Sequence, residues 1–118
     1  MSAERDLLII EDDSTFARTL VRSFERRGYR VQHAASYDET VKLLQTYAPG
    51  FAVVDLKLAG PQSGLACVQL LHAHDAAMSI VVLTGFASIG TAVDAIKLGA
   101  RQYLAKPAHS DDIEAAFG

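Results

Sequence analysis

Three acids in a row, Glu11-Asp12-Asp13, follow the apolar run Leu7-Leu8-Ile9-Ile10, and a fourth, Asp55, closes the run Phe51-Ala52-Val53-Val54. Further on, Ile80-Val81-Val82-Leu83 ends in Thr84-Gly85, and a run from Arg101 to Leu104 leads into Ala105-Lys106-Pro107. Carboxylates brought close together repel one another unless a cation lies among them. Oxygen ligands in a partly open site suit Mg²⁺, which takes one or two carboxylates and keeps several waters. A carboxylate can also attack a phosphoryl group to form an acyl phosphate. A metal, an ammonium and a hydroxyl can then bind the oxygens that carry the transferred charge. On this reading Glu11, Asp12 and Asp55 hold the metal, and Thr84 and Lys106 contact the phosphoryl oxygens. Taken singly, Thr84 is an ordinary strand-end hydroxyl, Lys106 a surface cation and Pro107 a strand stop; only the set raises them. Asp55 is different, because an acid directly after Phe-Ala-Val-Val is hard to explain as solvated surface. Two acids at the end of a buried strand are likewise costly unless compensated.

These groups can meet only if the elements before them lie side by side. The apolar runs, with a fifth from Tyr29 to His33, recur at roughly 22 to 28 residues, the length of a strand plus a returning helix. Those at Leu7, Phe51 and Ile80 are apolar without alternation, as strands covered on both faces read. Helix signals fill the gaps. Phe16, Leu20 and Phe24 repeat at helical spacing and Gly28 stops them. Ser36-Tyr37-Asp38-Glu39 fits a capping box ahead of Val41, Leu44 and Tyr47. Leu65, Val68 and Leu71 or His72 form a third apolar face. Ile89, Val93 and Ile96 form a fourth, closed by Gly99. Asp111 to Phe117 opens a fifth helix that Gly118 leaves short, so the last helix is expected to be truncated. Repeated β-α units imply a doubly wound parallel sheet with helices on both faces. In such a sheet ligands bind outside the carboxyl ends of the strands, where four of the five deliver an acid, an acid, a hydroxyl and an amine.

An acidic pair after the first strand, Asp at the end of the third, Thr after the fourth and Lys-Pro after the fifth together resemble the response-regulator receiver domain of two-component systems. The resemblance covers essentially the whole chain, residues 1–118, and implies a CheY-like, flavodoxin-like α/β fold of five parallel strands in the order 2-1-3-4-5. It implies a switch rather than a conventional enzyme: a sensor histidine kinase donates a phosphoryl group to Asp55 with Mg²⁺, and the domain catalyses only its own phosphorylation and hydrolysis. It makes Asp12 the direct metal ligand, Glu11 the partner through water, and the backbone carbonyl of Lys57 a further ligand. Thr84 and Lys106 bind the phosphoryl group, Tyr103 is the switch aromatic that moves with Thr84, and Lys57 and Phe86 tune the lifetime of the acyl phosphate. Homodimerisation through the face of the fourth helix and fifth strand is a further implication. A narrower likeness, carried by Val82-Leu83-Thr84-Gly85-Phe86, Ala92 to Gly99 and Tyr103 to Ala108, is to the redox-responsive RegA, PrrA and ActR group. In that group a DNA-binding output domain follows the receiver. No output domain is in this chain, so DNA contact and transcriptional control are expected only through one. The loop from Asp55 to Gly64 departs from the pattern: it is a residue longer than usual, and its Pro61 comes late.

Length and composition agree with one soluble domain. The 118 residues are 50% hydrophobic and 21% charged, with a formal charge of −3 that gives no basic face for nucleic acid. Arg18, Arg22, Arg26 and Arg27 read as the solvated face of a helix. There is no run long enough to span a bilayer, the start lacks a signal-peptide core, and a lone Cys67 precludes an internal disulfide, so the cytoplasm is expected and no membrane partner. Asp13 reads better as a helix N-cap than as a metal ligand, and Cys67 as a small buried hydrophobe rather than a redox sensor. His72 and His74 face apart on a helix, and His33 and His109 have no visible partner. No nucleotide-binding glycine motif is present. Three rivals stay open. A flavin module would want hydroxyls after the first strand, where three acids stand instead. An Mg²⁺-dependent aspartyl phosphohydrolase would carry its nucleophile there. A degenerate receiver acting as an interaction module would lack a full acidic pocket.

Overall fold

An apolar run can bury every side chain only when both of its faces are covered, and alternate residues then belong to two different cores. The computed structural model, which describes residues 5–58, 64–85 and 89–118, has that arrangement. Strands β1 (Asp6–Ile10), β2 (Arg30–Ala34), β3 (Phe51–Asp55), β4 (Ser79–Thr84) and β5 (Gln102–Ala105) form one parallel sheet in the order β2-β1-β3-β4-β5. Helices α1 (Ser14–Arg26), α2 (Tyr37–Leu44), α3 (Gly64–His74), α4 (Ile89–Leu98) and α5 (Ser110–Ala116) connect and cover it. Leu8, Ile10, Ala52, Val54, Ile80 and Val82 point to one side, against Cys67, Val68 and Leu71 of α3 and Ala92 and Ala95 of α4. Leu7, Ile9, Val53, Val81 and Leu83 point to the other, against Leu20 and Phe24 of α1 and Ile113 of α5. The sheet order and the helices on both faces are those expected from the sequence.

Local signals explain where the elements begin and end. Asp13 caps α1, accepting hydrogen bonds from the amides of Thr15 and Phe16, as its position suggested. Gly28, at φ +93°, turns the chain out of α1 in a conformation that a side chain would strain. Ser36 caps α2 through the Glu39 amide, while the Glu39 carboxylate reaches back to the Ala35 amide, one residue before the cap. Among the described residues, no helix is long and apolar enough to cross a membrane.

Two details differ from expectation. Tyr47 lies beyond the end of α2 and reaches the carbonyls of Leu7 and Arg30 with its hydroxyl. In α4, Val93 and Ile96 are exposed while Ala92 and Ala95 are fully buried. This helix is apolar nearly all round, so periodicity alone could not choose its inner face. The alanines let it lie close to the sheet and to α3, and the larger side chains are left outside.

Candidate functional site

Strand pairing runs one residue past the strand ends and holds the start of each loop. The Glu11 amide donates to Ala34 O at 3.0 Å, the Leu56 amide to Leu83 O at 3.0 Å, and the Lys106 amide to Thr84 O at 2.8 Å. The side chains that follow β1, β3 and β5 therefore emerge at one edge of the sheet. There Glu11, Asp12, Asp13, Asp55, Lys57, Leu58 and Lys106 line a cleft of about 360 Å³.

Asp55 is 3% exposed and held at both oxygens. Its Oδ1 accepts from the Lys57 amide at 2.9 Å, and its Oδ2 is 2.7 Å from Lys106 Nζ. Lys106 also lies 3.7 Å from Glu11 Oε1 and 5.4 Å from the centre of the Phe16 ring, a favourable seat for a cation. Partial burial works against the ammonium, but Asp55 and then Glu11 and Asp12 outweigh it and raise its pKa. Glu11 is as deeply buried as Asp55, and its Oε2 accepts from the Asp13 amide at 3.1 Å. Burial first, and then the neighbouring Asp55, push the Glu11 carboxyl up to about 8. Its Oε1 is buried with no hydrogen-bond partner.

An orphaned carboxylate oxygen of this kind calls for a ligand. Glu11, Asp12 and Asp55 each bring a carboxylate oxygen within 4.8 Å of the others. Oxygen-only donors, a buried oxygen without a hydrogen bond and an open cleft fit a hard divalent cation.

Of the expected residues, Glu11, Asp12, Asp55, Lys57 and Lys106 come together here. Thr84, 1% exposed at the end of β4, does not line this cleft; its hydroxyl donates to Gly85 O at 3.0 Å. Tyr103 stands opposite Val82 on the neighbouring strand, half-buried against the core under α3 and α4. Phe86 and the lengthened loop with Pro61 lie outside the described residues. Cys67 is fully buried, burial pushes its thiol up to about 11, and it packs in the core as a small hydrophobe.

Sequence reasoning passed over two neighbours of the site. His33 Nε2 is 2.7 Å from Glu11 O, a contact visible only once β2 is registered on β1. Gly64 gave a spacing but no reason for being glycine. A Cβ there would come 2.4 Å from Leu56 Cα and 2.7 Å from Asp55 O, so α3 can start against the backbone of Asp55 and Leu56 only with Gly64.

Comparison with known proteins gives a consistent likeness. Residues 7–117 match the family model of the response regulator receiver domain. The chain is 45% identical, over 97% of its length, to the acid tolerance regulatory protein ActR of Sinorhizobium medicae, covering 58% of that protein. It is 40% identical, over 99% of its length, to the photosynthetic apparatus regulatory protein RegA of Rhodobacter capsulatus, covering 63% of it. The chain thus spans about three fifths of these curated relatives. A crystal structure of a response regulator from Burkholderia pseudomallei, with a phosphorylated aspartic acid, a calcium ion and citrate, superposes with a TM-score of 0.91 at 46% identity, covering 98% of this chain and 67% of that one.

Proposed function

Since the chain belongs to the response regulator receiver family, we propose that it is a phosphorylation-driven switch whose acceptor is Asp55. The observation that carries this reading is the Asp55 carboxylate itself. It is buried at a strand end, held between the Lys57 amide and the Lys106 ammonium, and flanked by Glu11 and Asp12. The phosphorylated aspartic acid and calcium ion of the Burkholderia pseudomallei structure support the same chemistry for this chain.

In the proposed reaction an Asp55 oxygen attacks the phosphorus of a phosphohistidine on a sensor kinase. A P–O bond forms, the P–N bond breaks, and the imidazole leaves with the electron pair and takes up a proton. The Lys57 amide fixes Oδ1 and so orients the attack. Lys106 balances the carboxylate in the resting protein and then follows the incoming negative charge to the phosphoryl oxygens. Asp12, Asp55 and the Lys57 carbonyl would hold Mg²⁺, with Glu11 acting through water, and the ion would neutralise charge on the phosphoryl oxygens. Thr84 exchanges its bond to Gly85 O for one to the phosphoryl group. Tyr103, two strand positions before Lys106's preceding Ala105, follows Thr84 inward, and the phosphorylated conformer is favoured by these differential contacts. The face of α4 and β5, with Val93 and Ile96 outside, reads out the change through a second copy or an output domain that controls transcription.

Labelling with ³²P-acetyl phosphate tests this reading. Label that needs Mg²⁺, does not form when EDTA is present from the start and is released by hydroxylamine marks an acyl phosphate. Label that resists hydroxylamine would contradict it.

A further inference from the structure

Glu11 and Asp12 share one peptide plane, and its carbonyl is Glu11 O. That carbonyl is held from outside the loop: His33, on the edge strand β2, brings Nε2 to 2.7 Å from it. A carbonyl only accepts, so Nε2 carries the hydrogen and donates. The register explains the reach. His33 pairs with Ile9, two residues before Glu11, and the Glu11 amide bonds to Ala34 O, the residue after His33. Glu11 is therefore tethered at its amide by Ala34, at its carbonyl by His33 and at Oε2 by the Asp13 amide. With those three groups fixed, Oε1 is left buried and unbonded beside Lys106. Rotating the peptide plane would swing both acids, and the His33 ring holds its carbonyl.

We propose that His33 is a positioning residue for the acid pair: by donating to Glu11 O it sets the affinity of Glu11, Asp12 and Asp55 for a divalent cation. The inference rests on the metal-assisted reading above but assigns a role to a residue outside the cleft. His33 touches neither cation nor phosphoryl group. It acts by keeping two carboxylates in a ligating arrangement, as the outer partners of metal ligands do. The residue is exposed and belongs to neither core cluster, so replacing it is expected to leave the fold in place.

The test compares wild type, His33→Leu, His33→Gln and Asp12→Asn. Mn²⁺ binding is read from the loss of the free-ion EPR signal, and phosphorylation by acetyl phosphate is followed as a function of Mg²⁺. Losing one hydrogen bond to a ligand's backbone is expected to weaken Mn²⁺ binding by about 3- to 10-fold in His33→Leu. The half-saturating Mg²⁺ concentration should rise by the same factor, while the rate at saturating Mg²⁺ and the unfolding temperature hold. Glutamine places a donor near the position of Nε2, so His33→Gln should restore binding to within about twofold of wild type. Wild-type affinity in His33→Leu overturns the proposal, as does equal weakening in His33→Gln or a fall in the saturating rate alone. Wild type that binds no Mn²⁺, or binds it equally well as Asp12→Asn, overturns the metal reading and this proposal with it.

Discussion

Glu11 and Lys106 show how the site balances burial against charge. In the unfolded chain Glu11 has its ordinary value of 4.5; in the folded protein it is held at about 8. Between those values the native state binds the extra proton. Without metal, Glu11's contribution to stability is therefore complete below about pH 4.5, declines as pH rises and is lost by about 8. Urea midpoints of metal-free protein across this window should show the decline, and Glu11→Gln should flatten that part of the slope and stabilise the protein above pH 8 by on the order of 1–4 kcal/mol. Lys106→Met leaves Asp55 without its ammonium partner. Because the Lys106 side chain is 34% exposed, the loss of stability is screened to about 1–2 kcal/mol. The phosphorylation rate, for which the proposed reaction uses the ammonium at the phosphoryl oxygens, should fall by about 10²-fold. Stopped-flow or radiolabel kinetics at fixed Mg²⁺ measure the second effect and chemical unfolding the first.

The elements place these residues through backbone contacts that tolerate little change. Gly64→Ala would push a Cβ into Leu56 Cα and Asp55 O, and neither backbone atom can yield cheaply. The substitution should cost about 1–3 kcal/mol and slow phosphorylation by displacing the acceptor, measured by urea midpoint and acetyl phosphate kinetics together. That Asp55, the acid pair and Lys106 meet was legible in the sequence because an unalternating apolar run that ends in a charge is unusual, and several such ends in order are more so. Asp13 was legible as a cap because it precedes a helical pattern. The inner face of α4 was not, since Val93 and Ile96 repeat as regularly as Ala92 and Ala95 and only packing distinguishes them. His33 was illegible for another reason: its contact with Glu11 depends on the β1–β2 register, which no local pattern encodes. Thr84 was read as a phosphoryl ligand, yet its hydroxyl is turned to Gly85 O, a position consistent with a residue that moves only when phosphate arrives.

Across the whole molecule, the core beneath α1 and α5 is closed by rings. Phe24, Tyr29, Phe51 and Phe117 meet at centroid distances of 5.0 to 6.2 Å. The Tyr29 hydroxyl donates to Glu114 at 3.0 Å, and Arg27 pairs with Glu114 at 2.6 Å and with Asp111. These contacts tie α5 to α1, to the turn that follows it and to the start of β3. Phe117→Ala should cost about 3–5 kcal/mol, a large share of the roughly 5–15 kcal/mol that stabilises a domain. Folded protein in low denaturant should still accept a phosphoryl group, a separation that calorimetry and labelling on the same sample can show. A fold that holds its site at the strand ends and its anchoring core elsewhere leaves room for the proposed change at Thr84 and Tyr103 without coming apart. The proposed switch begins with one covalent event at Asp55. Intact-mass spectrometry after incubation with Mg²⁺ and acetyl phosphate tests it most directly, with Asp55→Asn alongside. A single phosphoryl adduct on wild type, dependent on Mg²⁺ and missing from Asp55→Asn, is the predicted result; an equal adduct on both proteins would contradict the assignment.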